Sequence, residues 1–220
     1  LRRAQARLAQ YKTALLKAAC EGRLVPTEAE LARQEGRDYE PAEVLLARVL
    51  QERRAKWEAE HPGKKYQEPI APNDRELPEL PEGWCWTSVK MAGKVQLGRQ
   101  RSPQHHTGPY MRPYLRVANV YEDRIDLSDI LEMNFSPEEY ERYRLNDGDI
   151  LLNEGQSPEF LGRPAMFRNE ILGVCFQNTL IRFQAYEPLN RSYALILFRN
   201  HMRQGRFRRE SQITTNIAHL

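Results

Sequence analysis

The stretch GDILLNEGQSPEFLGRPAMF, Gly148 to Phe167, places Asp149, Asn153, Glu154, Gln156 and Arg163 around an apolar ILL. Two nearby acids are what a metal-dependent nuclease uses to hold a divalent ion. Along a strand, however, a spacing of five sends Asp149 and Glu154 to opposite faces, and no lysine follows to complete a nuclease pattern. The preceding NDGD is rich in turn formers, so a turn leading into a buried strand is the simpler account. That leaves Asn153, Gln156 and Arg163 as groups able to face a nucleic acid, and leaves Glu154 without an assigned role.

A second polar cluster, RQRSPQHHTGPYMRP, carries His105 and His106 with no cysteine or acid close enough in sequence to share a metal. Beside Arg99, Gln100, Arg101 and Gln104 they suit donation to phosphates or base edges. An ordinary exposed polar loop is the competing account. Arg206 and Arg208 in RQGRFRRE admit the same two readings, and Phe207 among them is expected to pack rather than to stack on a base. The three cysteines, Cys20, Cys85 and Cys175, are widely spaced and suggest buried filler, neither a disulfide framework nor a zinc site. Phosphate-loop, nucleophile-elbow and zinc-helix signatures are missing, as is the Asn/Asp-Pro-Pro-aromatic signature of an adenine methyltransferase.

The elements that must position these groups fall into two parts. In LRRAQARLAQYKTALLKAAC the residues Leu1, Ala4, Leu8, Tyr11, Leu15 and Ala18 recur at alternating spacings of three and four, the seam of a coiled-coil helix about 30 Å long. Gly22 and Pro26 break the pattern. PAEVLLARVLQERRAKWEAE resumes it, with Pro41 suited to a first helical turn and Val44, Leu45, Leu46, Val49, Leu50 and Trp57 as its apolar side. HPGKKYQEPIAPNDRELPELPEG has five prolines and no periodicity, which predicts a linker. Short β-prone runs follow: WCWTSV, YLRVANV, DILLN, PAMF and VCFQNTLIRFQAY. Ser136, Pro137 and Glu139 predict a capped helix over SPEEYERYRL, and a last helix is predicted from Asn190 to Gly205. The fold class is therefore α+β: coiled-coil-type helices, then a domain with a mixed or antiparallel sheet and flanking helices.

The 220 residues are 40% hydrophobic, 9% aromatic and 29% charged, with net charge +3. Residues 1–82 are neutral, with 15 basic and 15 acidic side chains. Gly83–Tyr121 and Pro188–Arg209 contain no acid, whereas acids crowd into Glu122–Glu159. If the two basic stretches converge, the folded domain has one positive surface, the footprint of a phosphate-binding protein. A set of solvated faces accounts for the same charges. No apolar run approaches a membrane span and no signal-peptide region opens the chain, so a cytoplasmic protein is expected.

The segments LLKAACEGRLVP, PAEVLLARV, LPEGWCW, GDILLNEGQSPEFLGRPAMF, CFQNTLIRF and TTNIAHL, in that order, resemble the specificity subunit of type I restriction-modification enzymes. The resemblance covers nearly the whole chain: the end of the family's central conserved helix and one target recognition domain. It implies a DNA-reading subunit without catalytic activity or cofactor. In the family two such domains each read half of a split target, and long paired helices hold them apart. Those helices dock modification subunits that bind S-adenosylmethionine and methylate adenine, while a motor-nuclease subunit cuts. A helix of about 30 Å is also near one DNA turn, the separation of two major-groove readers on one face. The family's usual subunit has two recognition domains and two helices, so a fragment is expected, with a half-size form that pairs as the alternative.

The expected organisation is a helical region over 1–60, a Pro-rich linker over 61–82 and a recognition domain over 83–220. Partners would be duplex DNA, the modification and motor-nuclease subunits, and a second helix from the same subunit or another copy. Phosphate contacts are expected first from Arg101, Arg116, Arg163, Arg206 and Arg208, with Lys94 and Arg99 in the same basic stretches. Base-edge readers are expected among Gln100, Gln104, His105, His106, Asn153 and Gln156. A coiled-coil adaptor whose α+β domain binds protein is one rival reading, and a metal-dependent nuclease using Asp149 and Glu154 is another.

Overall fold

The computed structural model describes residues 2–73, 77–210, 212–214 and 217–219, which form two compact units, 1–93 with 186–189 and 94–185 with 190–220.

The first unit contains α1 (Arg2–Cys20), α2 (Glu28–Glu35), α3 (Ala42–Glu60) and the single turn α4 (Val89–Ala92). Along α1 the seam residues Leu8, Tyr11 and Leu15 are exposed, and only Cys20 is buried. Leu1 lies outside the described residues. The helix stops at Gly22, whose left-handed φ of 66° lets the Arg23 amide reach back to the Ala18 carbonyl. The Trp84 indole lies against that glycine. WCWTSV is therefore not the strand its composition predicts: Trp84 turns back to the Pro81 carbonyl at 3.1 Å and is used as packing, and among the described residues no strand partners it.

α2 was not anticipated, although its signal is present. The Thr27 side chain accepts from the Glu30 amide at 3.2 Å and the Glu30 carboxylate accepts from the Thr27 amide at 2.6 Å, a complete capping box. On α3 Val49 is buried and Leu45, Leu46, Leu50 and Trp57 are partly covered, but Val44 is exposed and does not share that side. The start of the Pro-rich segment folds back on α3: His61 stacks on Trp57 with ring centroids 4.6 Å apart, and Glu68 pairs with Arg54 at 3.0 Å.

The second unit is built from short strands. In order they are β1 (Gly93–Leu97), β2 (Met111–Leu115), β3 (Val120–Tyr121), β4 (Arg124–Ile125), β5 (Leu131–Asn134), β6 (Ile150–Asn153), β7 (Gly155–Gln156), β8 (Pro164–Met166), β9 (Cys175–Phe176), β10 (Leu180–Ala185), β11 (Gln212–Thr214) and β12 (Ile217–His219). Helix α5 (Pro137–Tyr143) lies between β5 and β6, and α6 (Arg191–Arg203) and α7 (Arg206–Glu210) follow β10. The sheets run β1-β10-β6-β8, β5-β2-β9, β11-β12-β7 and β3-β4. β10–β6, β6–β8, β11–β12, β12–β7, β2–β5 and β3–β4 pair antiparallel and β2–β9 pairs parallel, so the unit is α+β with mixed pairing.

VCFQNTLIRFQAY is not one strand. The Leu180 amide turns back to the Gln177 carbonyl at 2.9 Å, sending β9 and β10 into different sheets. β6 is buried at all four positions, as an apolar central strand must be. Leu151, Ala165, Phe167, Phe176 and Leu180 pack there with Leu115, Val120, Leu145 and Val174. α5 begins with the capping box its sequence predicts, Ser136 with Glu139 and Pro137 in the first turn. α6 begins at an Asn190 cap whose side chain accepts from the Tyr193 amide at 3.0 Å.

Candidate nucleic-acid interface

Asp149 has a structural occupation. It is 3% exposed, and its carboxylate accepts from the Asn146 amide at 3.0 Å and Gln184 Nε2 at 2.8 Å. Arg182, equally buried, approaches at 3.4 Å, and its terminal nitrogens also donate to the Arg144 carbonyl, the Arg142 carbonyl and Gln96 Oε1. Burial pushes the Asp149 carboxyl up and the Arg182 guanidinium down, each partly offset by the other. Glu154, just past β6, is partly buried and its backbone amide donates to the Thr179 carbonyl at 2.9 Å. Among the described residues no three metal-ligating side chains come together.

The loop after β1 is the first cluster of polar candidates. Arg99, at its root, is 5% exposed and makes a two-pronged pair with Glu139 at 2.8 and 2.9 Å, over the Phe135 ring. Burial acts to raise the Glu139 carboxyl, but Arg99 and the Ser136 amide outweigh it and leave it lowered. Arg99 is thus committed inside the fold. Beyond it Gln100, Arg101, Gln104 and His106 are exposed and His105 is half-buried, on a loop tightened by a 3-10 turn at Pro103–His105. Lys94 is exposed on β1. Arg116 is paired with Asp129, and Arg112, exposed nearby in sequence, lies 4.7 Å from the Tyr140 ring.

A second cluster joins the loop after β7 to the α6–α7 elbow. Gly162, with φ of 70°, has the Phe207 ring packed directly on it, so Phe207 is packing as its sequence predicts. The contact brings Phe160 and Arg163 to the same locality as the exposed Arg206 and Arg208. A shallow cleft of about 640 Å³ there is lined by Pro158, Arg203, Gln204, Gly205, Arg208 and Arg209. Arg203 pairs with Glu122 at 2.6 Å, and Arg199 pairs with Asp123 and Glu122. Arg163 lies 4.8 Å from the Tyr121 ring and 4.9 Å from Phe160, and burial lowers its guanidinium below the ordinary range.

Asn153 is completely buried, and among the described residues neither atom of its amide has a hydrogen-bond partner. The β6–β8 register sets it opposite Arg163, whose carbonyl accepts from the Asn153 backbone N–H at 3.3 Å. It sits behind the surface. Gln156 pairs through its backbone with Ala218 on β12, and its side chain lies outside the described residues. In TTNIAHL, Thr215, Asn216 and Leu220 also lie outside them.

The sequence reading did not single out Tyr121 or Phe160, and took Arg203 and Arg209 only as members of the acid-free stretch and the RQGRFRRE cluster. The two arginines stand in the acid-free stretch singled out above, so their signal was present. The aromatic pair meets Arg163 through folding, and only Phe160 is close to it in sequence.

Comparison with solved structures finds a chain described under "structural basis underlying complex assembly and conformational transition of the type I R-M system", 18% identical with TM-score 0.44, covering 81% of this chain and 43% of that one. The HsdS subunit from Thermoanaerobacter tengcongensis is 17% identical with TM-score 0.43, covering 81% of this chain and 44% of that one. The chain thus spans less than half the length of either. No protein-family model matches it. No curated protein matches it.

Proposed function

We propose that the chain is a DNA-reading module with no reaction of its own. The observation that carries this is the α6–α7 elbow, anchored by Phe207 on Gly162, where Arg203, Arg208 and Arg209 line one open cleft. Clustered guanidinium groups beside an accessible cleft suit phosphates, whose negative charge supplies the larger part of sequence-independent affinity. Arg206 and Arg208 act there. Arg101 contributes from the loop after β1 and Lys94 from β1 itself, and Gln100, Gln104, His105 and His106 reach base edges. Arg99, Arg116 and Asn153 serve the frame that holds these surfaces.

The particular reading is a specificity subunit of a type I restriction-modification system, on the six ordered segments that resemble that family. Residues 83–220 form a recognition domain for one half of a split target, 61–82 a linker and 1–60 the helical region. The helical region docks modification subunits that methylate adenine and a motor-nuclease that cuts. The work is cytoplasmic, where the DNA is. The exposed seam of Leu8, Tyr11 and Leu15 supports pairing of α1 with a second helix.

The test is binding to a random duplex library, followed by salt titration on the enriched sequence. One preferred sequence is expected. Arg101→Ala should weaken binding to all sequences and reduce the salt slope by about one unit, since one phosphate contact is lost. Binding without sequence preference would favour a nonspecific binder, no binding an adaptor, and divalent-metal-dependent cleavage by the chain alone a nuclease.

A further inference from the structure

Arg163 is held differently from many arginines of its unit. Arg99, Arg116, Arg144, Arg182, Arg199 and Arg203 each face a carboxylate. Arg163 is held by two rings, Tyr121 at 4.8 Å and Phe160 at 4.9 Å, and Tyr121 also has Arg124 at 4.7 Å. Its backbone is fixed as well, the amide donating to the Phe160 carbonyl at 3.1 Å. Among the described residues its Nε is fully enclosed without a hydrogen-bond partner, whereas neither terminal nitrogen is enclosed in that way.

A guanidinium held like this has lost much of its rotamer freedom before any partner arrives, so a contact with it costs less to order. What it offers is the far edge, two parallel N–H groups. That edge matches the O6 and N7 acceptors of guanine in the major groove, and it also matches two oxygens of a phosphate. The surroundings separate the two. Glu122 and Asp123 directly follow Tyr121, and Glu122 is near enough to act on the Arg163 guanidinium. Glu122, which also pairs with Arg199 and Arg203, offsets part of the positive charge at Arg163 itself, unlike at the cleft lined by Arg208 and Arg209. A neutral base edge loses little beside that carboxylate, whereas a phosphate is repelled by it.

We propose that Arg163 is a specificity determinant that reads a guanine through its terminal nitrogens, with Tyr121 and Phe160 as positioning residues. This rests on the DNA-reading function above. The experiment selects bound sequences from a random duplex library with the unsubstituted chain, Arg163→Ala, Arg163→Lys, Tyr121→Ala and Tyr121→Phe, each first checked for an unchanged unfolding midpoint. The unsubstituted chain should enrich a sequence with a guanine at one position. Arg163→Ala should lose the preference at that position alone, with affinity for the enriched site falling roughly 5- to 150-fold, equivalent to about 1–3 kcal/mol, at unchanged salt slope. Arg163→Lys, which lacks the two-pronged edge, should lose most of it; Tyr121→Ala should relax it and Tyr121→Phe should keep it. Uniform weakening across all duplexes with a salt slope reduced by about one would make Arg163 a phosphate contact and overturn the proposal. An unaltered preference in Arg163→Ala also overturns it. Absence of any enriched sequence with the unsubstituted chain overturns the DNA-reading function itself, a result distinguishable from both.

Discussion

Arg182 and Asp149 show how a charged residue can be mistaken for chemistry. Asp149 stands out in sequence as a carboxylate beside Glu154, and its turn-forming context is visible, but Arg182 comes from β10 and no local pattern announces the pair. The pair is buried on both sides, and the terminal nitrogens of Arg182 and both carboxylate oxygens of Asp149 are used within the unit. Removing one partner leaves the other charge buried and uncompensated, the costly way to break such a pair. Arg182→Met should therefore lower unfolding free energy by about 3–5 kcal/mol in urea titration. A loss under about 1 kcal/mol would mean that Asp149 is already neutral or solvated. Asn153 teaches the same lesson in milder form: its type suits a base reader, and its burial follows from a strand apolar at every other position.

At the scale of elements, local signals were read well where backbone chemistry is self-contained. The capping box at Ser136 is a four-residue code that appears as the sequence predicts, and the helix expected from Asn190 begins there, at a cap. α2 carries the same code at Thr27 and Glu30, but Gly22 and Pro26 directed attention to a break rather than to the helix after it. Strand partners were not legible, since pairing depends on contacts far apart in sequence: WCWTSV found none, and VCFQNTLIRFQAY was divided between two sheets. The junction of Gly162 with Phe207 is equally invisible in sequence. Gly162→Ala would put a methyl group into the Phe207 ring at a left-handed backbone position, and the expected cost is about 1–3 kcal/mol. If the elbow carries DNA contacts, the same variant should weaken duplex binding at temperatures where it remains folded. Unchanged binding by a destabilised Gly162→Ala would detach the elbow from the interface.

For the whole molecule, charge segregation was readable, but its meaning was not. The two acid-free stretches suggested one positive face, yet several of their arginines are taken by acids from Glu122–Glu159: Arg99 by Glu139, Arg116 by Asp129, Arg199 and Arg203 by Glu122 and Asp123. Much of the segregation is internal pairing between segments. α1 remains with an apolar seam in solvent. Leu8→Ser, Tyr11→Ser and Leu15→Ser together should leave the unfolding midpoint nearly unchanged, because these side chains are exposed in the single chain. The triple variant should abolish any concentration-dependent association seen by sedimentation. Equal association by both proteins would remove the seam from any pairing role.

The Arg99–Glu139 pair has one further consequence. It secures the point where the chain leaves β1, and β2 secures the point where it returns, so the exposed residues from Gln100 to His106 carry little of the burden of holding the fold. Substitutions in that segment change the surface without altering the core beneath it, so its chemistry and the stability of the fold can be varied separately.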